Sequence, residues 1–215
     1  MKFKPSSYGE LTAKKGAGWA KFNFLTAQRL AHGIGEWLIR NPEKRVGTEG
    51  IQTSRMWYEC LANQGIVIGF DSRQSSFEIA QVICSVFQRY YKQIRTFFVS
   101  TESNTPFVHF YTLKFKCLLG LFISGAEFLG EKVAVKFIGP DGGCLDQKHV
   151  KNIEKRMLDF ASRQLYLMDL TKTYNYWVRE CKFKDKDNVW TNTTLGAFIA
   201  AYESVFLINK RETNA

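Results

Sequence analysis

The stretch that most limits the fold is Cys117-Leu118-Leu119-Gly120-Leu121-Phe122-Ile123-Ser124-Gly125-Ala126-Glu127-Phe128-Leu129-Gly130, an apolar run that ends in small residues and one carboxylate. Four to eight apolar residues bounded by turn formers suit a strand covered on both faces. In open α/β sheets the loop after such a strand is where ligands bind, so Ser124 to Gly130 has the position of a site. Its chemistry is sparse, because only Ser124 and Glu127 could act on a substrate there.

The rest of the chain reads around that strand. The start through Lys15-Gly16-Ala17-Gly18 is polar and basic and predicts a loop or extended lead-in. From Asn23 to Asn41-Pro42 the residues Phe24, Leu25, Leu30, Ile34, Trp37 and Leu38 recur at helical spacing; His32 within it has no second ligand at helical spacing and reads as a packed or surface residue. A connector with a short helix at Ser54 to Ala62 leads to a buried strand, Gly65-Ile66-Val67-Ile68-Gly69-Phe70-Asp71. A helix begins at Ser75, a second strand fits Thr96 to Val99, and Thr105-Pro106 opens the next helix with proline in its first turn. After the central stretch, Lys132 to Ile138 alternates lysine with apolar residues and reads as a half-exposed edge strand, Gly139 to Gly143 as a turn, and Asp146 as the cap of a helix into Met168. This order predicts a three-layer α/β/α sandwich over residues 1–168 with a mostly parallel sheet and right-handed crossovers. Residues 169–215 read as an aromatic and basic extension ending in an amphipathic helix, Leu195 to Ile208.

Composition bounds the function. A net charge of +10 and a pI near 9.4 call for an acidic partner, and because the basic residues are scattered rather than gathered in one arm they argue against nucleic acid. The five cysteines include no CxxC pair, which suits reduced thiols in a cytoplasmic setting. No apolar run reaches the ~20 residues needed to span a bilayer, and the start lacks the apolar core of a signal peptide. Asp185-Lys186-Asp187 is the nearest approach to a carboxylate array and reads as a solvated turn, so no metal or cofactor is expected.

The ordered set Gly16-Ala17-Gly18 with Asn23-Phe24-Leu25-Thr26, then Gly65-Ile66-Val67-Ile68-Gly69-Phe70-Asp71-Ser72-Arg73, then Thr105-Pro106-Phe107-Val108, then Gly120-Leu121-Phe122-Ile123-Ser124 resembles the first domain of phosphoglucomutases and related phosphohexomutases, from about Gly9 to Met157. The resemblance implies a four-stranded mixed sheet whose last strand is antiparallel. It also implies a loop reading roughly Thr-Ala-Ser-His-Asn-Pro, whose serine carries the exchanged phosphoryl group and helps to ligate magnesium. Aligned without gaps, Ala126 stands at that serine, Glu127 at the histidine and Phe128 at the asparagine. A one-gap shift would instead bring Ser124 to the phosphoacceptor position. The family's early Gly-Thr-x-Gly-x-Arg motif falls on Tyr8 to Thr12, with Thr12 at the arginine, and of its Asn-Gly-x-Lys only Lys136 is kept. A chain of 215 residues is also too short for the family's three later domains.

Phosphoryl transfer needs a placed acceptor oxygen and cationic stabilisation of the moving charge, and the gap-free alignment offers neither. The expectation is a non-catalytic domain that serves as a structural or scaffold subunit, its partners being protein subunits with acidic surfaces, cytoskeletal filaments among them. Tyr174, Tyr176, Trp177, Trp190, Phe198, Tyr202 and Phe206 are candidate interface residues, or else complete the chain's own core. The alternative is a module that binds or senses sugar phosphates without turnover, using Arg73, Lys136 and loop amides as an anion nest.

Overall fold

Ile66–Phe70 is buried at every position, and the sheet is built outwards from it. The computed structural model describes residues 4–5, 9–17, 21–40, 54–99, 102–125 and 132–160. Their elements are β1 (Lys4–Pro5), β2 (Glu10–Lys14), α1 (Phe24–Arg40), α2 (Ser54–Asn63), β3 (Ile66–Phe70), α3 (Gln74–Tyr90), β4 (Thr96–Phe98), α4 (Thr105–Lys114), β5 (Leu119–Ser124), β6 (Lys132–Ile138) and α5 (Gln147–Asp159). Among the described residues the sheet has six strands in the order β1-β2-β6-β5-β3-β4. β3 is parallel to both β4 and β5, whereas β6 is antiparallel to β5, as the resemblance implied.

Alternation along the strands sorts their side chains onto two faces. Leu11, Ala13, Ile66, Ile68, Phe70, Leu119, Leu121, Ile123, Val133, Val135 and Phe137 share one core with α1, α3 and α5. The opposite face carries α4, which approaches so closely that a Cβ on Gly69 would lie 2.5 Å from Val108 and one on Gly120 would lie 2.3 Å from the Thr112 hydroxyl. The arrangement is the three-layer α/β/α sandwich with a mixed sheet.

Local chemistry sets the helix starts. Asn23 Oδ1 accepts the Leu25 and Thr26 N–H groups at 3.1 and 3.0 Å, and Thr26 Oγ1 accepts the Asn23 N–H at 2.8 Å, a reciprocal cap at the head of α1. Asn104 caps α4 by accepting the Phe107 N–H, with proline in the first turn. α3 starts at Gln74 after Arg73, one residue earlier than the Ser75 expected, and without a side-chain cap. Asp146 does precede α5, but its backbone oxygen rather than its carboxylate receives the first helical N–H groups. α5 ends at Asp159 with Phe160 as its C-cap, short of Met168; residues 161–168 and the extension 169–215 lie outside the described residues.

Two expectations are corrected. The lead-in contains strands: Glu10–Lys14 alternates buried Leu11 and Ala13 with polar residues and pairs along its whole length with β6, and Lys4–Pro5 adds β1, so the sheet has six strands rather than four. β6 is consequently an interior strand. Its two lysines alternate onto the α4 face, where Lys136 stands opposite Glu10 and Lys132 opposite Lys14. His32 is packed: it is 4% exposed, its ring stacks on Phe160 at 3.9 Å, and its Nδ1 lies 3.0 Å from Tyr91 Oη.

Candidate functional site

The chain leaves β3 through α3 to reach β4 on one side, then returns through α4 to β5 on the other. The carboxyl ends of β3 and β5 are therefore the switch point of the sheet, where a crevice opens in this class of fold. Asp71, Ser72 and Arg73 follow β3, Ser103 follows β4, and Ser124 and Gly125 end β5.

Asp71 ties these ends together. Its N–H donates to the Ile123 carbonyl at 3.0 Å, its Oδ2 accepts the Gly125 N–H at 2.9 Å, and its Oδ1 accepts the Arg73 N–H at 3.2 Å. The Arg73 guanidinium lies 3.8 Å from Asp71 Oδ2 and directly over Gly125, where any Cβ would strike it. The Arg73 side chain is 38% exposed. Ser103 closes the far side, donating its N–H and its hydroxyl to the Phe70 carbonyl at 2.8 and 3.2 Å. Asp71 thus pairs locally with Arg73 and links the ends of two strands.

The register locates the other positions. Thr12, Ala134 and Ser124 form one row across β2, β6 and β5, which sets Thr12 about 10 Å from Ser124 at ordinary strand spacing. Thr12 and Ser124 are both half-buried. Glu10, Lys136 and Phe122 form the neighbouring row. Lys136 accordingly stands opposite Glu10, two residues along β6 from the row that holds Ser124. Ala126, Glu127 and Phe128 lie outside the described residues, as do Tyr174, Tyr176, Trp177, Trp190, Phe198, Tyr202 and Phe206. No group of three His, Cys, Asp or Glu side chains that could hold a metal occurs among the described residues, and no described helix is long and apolar enough to cross a membrane.

The bond between Asp71 and Gly125 escapes sequence reasoning because it joins residues 54 apart. The one signal available was an acid immediately after a buried strand and a glycine immediately after its neighbour.

No curated protein sequence matches the chain. Among solved structures it is similar to a putative phosphomannomutase from Thermus thermophilus, with a TM-score of 0.54 and 17% identity over 83% of this chain and 36% of that one. It is also similar to a phosphoglucomutase/phosphomannomutase family protein from Burkholderia thailandensis, with a TM-score of 0.50 and 12% identity over 71% of this chain and 29% of that one. The chain thus spans about a third of the length of these relatives. The model of the phosphoglucomutase/phosphomannomutase α/β/α domain I matches residues 12–163, which contain β3, β4, β5 and β6 and the switch point between them. With the fold and the family model in agreement over most of its length, the chain belongs to the phosphoglucomutase/phosphomannomutase family, through domain I.

Proposed function

We propose that this phosphoglucomutase-like domain works without phosphoryl transfer, as a structural subunit of a larger protein assembly. The observation that carries the reading is the ladder position of Ser124. It pairs with Ala134 as the last residue of β5, and Gly125 behind it is held by Asp71. That position supports the gap-free alignment, in which Ser124 takes the family's threonine and Ala126 the phosphoserine. A methyl group can neither accept nor donate a phosphoryl group, and Thr12, in mid-strand at the motif arginine, supplies no cation. Incubation with a radiolabelled hexose bisphosphate should leave the protein unlabelled, and a stable phosphoserine would overturn the non-catalytic reading. In native extract the protein should migrate with a stable partner; a free monomer would overturn the structural reading.

A second reading is favoured by one feature, the Arg73 guanidinium over Gly125. A cation beside a strand-end turn suits a phosphate, so the domain would bind hexose phosphates without turning them over. Calorimetry separates the two, because the structural reading expects no heat of binding with hexose monophosphates.

A further inference from the structure

The end of the sheet opposite the crevice carries a concentration of charge that the switch point does not explain. From Ile79 to Gly125 the chain holds five cations, Arg89, Lys92, Arg95, Lys114 and Lys116, against one acid, Glu102. The topology gathers all five at the amino ends of β4 and β5, where α3 and α4 terminate, and sends Glu102 to the other end of β4. Helix dipoles account for Arg89 and Lys114, which lie in last turns. Lys92, Arg95 and Lys116 stand beyond the helices.

Two of these cations, Arg95 and Lys114, are held on aromatic rings, and Lys116 stands next to them in the chain. The Arg95 guanidinium lies over Phe97 at 4.6 Å, Phe97 stacks on Phe115 at 5.6 Å, and the Lys114 ammonium lies 6.0 Å from Phe115 and 5.7 Å from Phe110. Lys116 follows Phe115 in a left-handed conformation and is exposed, as are Arg95 and Lys114. Leu113 on the same turn is 51% exposed. The ion pairs of Arg40 with Glu36, Arg55 with Glu59 and Arg73 with Asp71 lie elsewhere, and none of Arg95, Lys114 and Lys116 is paired with a described carboxylate. Cations held on ring faces keep their stems packed and their charge presented, at less entropic cost on binding than free lysines. Uncompensated like charges repel one another, and an anionic partner relieves that repulsion.

We propose that this ledge, formed by Arg95, Lys114 and Lys116 around Phe97, Phe110 and Phe115, docks an acidic segment of another protein subunit. The proposal rests on the structural reading above and supplies its partner chemistry. A stacked nucleic-acid base would need an open ring face, but Phe97 is 5% exposed and already stacked on Phe115, whose ring also carries Lys114. An acidic chain needs only the exposed charges and the exposed Leu113 side chain on the same turn as Lys114.

The test uses the full chain, a fluorescein-labelled peptide of repeated Glu-Glu-Leu triplets and fluorescence anisotropy. The triple variant R95E/K114E/K116E should weaken binding about tenfold or more. K148E/K151E/K155E reverses three exposed lysines of α5 and lowers the net charge by the same amount, and it should leave binding within about twofold. Equal loss in both triples would reduce the effect to net charge and overturn the proposal, as would absence of peptide binding to the native chain. Tighter, ledge-dependent binding of an oligothymidylate or of phosphatidylserine vesicles would overturn the choice of a protein partner. Should the charge reversal unfold the chain, the neutral R95Q/K114Q/K116Q set gives the same comparison. Native sizing separates the two readings: a ledge variant that still enters the complex refutes the ledge alone, whereas a wild-type chain that runs free refutes the assembly.

Discussion

Gly35→Ala tests how tightly the helical layer is fitted. In an isolated helix the change is favourable by about 1 kcal/mol, because alanine loses less backbone freedom than glycine. In α1 the new methyl would lie 2.5–2.6 Å from the phenol end of the Tyr91 ring. Ordinary carbon contact is about 3.5–4.0 Å, so the ring must retreat by about 1 Å. It is poorly placed to do so. Tyr91 Oη donates to the His32 carbonyl at 3.2 Å, and since a hydroxyl has one proton, the 3.0 Å contact with His32 Nδ1 is one that it accepts. The Tyr91 N–H is held by the Phe87 carbonyl at 2.7 Å.

Overpacking costs about 1–3 kcal/mol and each buried hydrogen bond lost about 1 kcal/mol, against a propensity gain of about 1 kcal/mol. The net expectation is a loss of about 1–3 kcal/mol, a fall in Tm of roughly 2–4 °C per kcal/mol for a chain of this size. Urea unfolding should show a lower midpoint at unchanged slope. In a Tyr91→Leu background the phenol is gone, and Gly35→Ala should become neutral or stabilise by up to about 1 kcal/mol. Equal effects of Gly35→Ala in the two backgrounds, or a stabilised single variant, would refute the reasoning.

Three further outcomes are expected. Ser76 is fully buried with no hydrogen bond to its hydroxyl, so Ser76→Ala should raise stability by about 1 kcal/mol in the same urea assay. Burial pushes the Cys117 thiol from 9.0 up to about 12, opposed by the Arg95 charge. The folded state therefore holds a proton that the unfolded state releases, and stability should be unaffected below pH 9 and fall by about 1.4 kcal/mol per unit from there to pH 12, a slope absent in Cys117→Ala. Gly125→Ala displaces only the far end of the Arg73 side chain, so it should cost under about 1 kcal/mol in unfolding while abolishing any calorimetric signal with hexose phosphates.

What the sequence revealed and what it hid divide along physical lines. Apolar runs made β3 and β5 readable, since burial on both faces leaves a continuous signature, and β6 was readable as a strand from its alternation of lysine with apolar residues. α1 was readable from its period and from Asn23. β2 was hidden because its alternation spans only Leu11 and Ala13 before Lys14-Lys15-Gly16 reads as a loop, and its existence depends on a partner strand over a hundred residues away. The same omission turned β6 into an edge strand. Alternating lysines look alike whether they meet water or stand opposite Glu10. At the site, Asp71 and Arg73 were legible as strand-end residues, but the bonds from Asp71 to the backbone of β5 were not, since nothing local requires them.

Those bonds also bear on how a domain of this family can part with its chemistry under the proposed reading. The ends of β3 and β5 are joined by Asp71 through the Gly125 N–H and the Ile123 carbonyl, and the cation over them comes from Arg73. None of these contacts uses a side chain of residues 126–130. The core that holds the sheet together lies beneath, among Phe70, Ile79, Ile83 and Ile123. Asp71→Ala would leave the Gly125 and Arg73 N–H groups without their acceptor, while the Asp71 N–H bond to the Ile123 carbonyl would remain. Asp71 thus has a structural role at the ends of β3 and β5 whatever the loop does, and its presence here is no argument for catalysis.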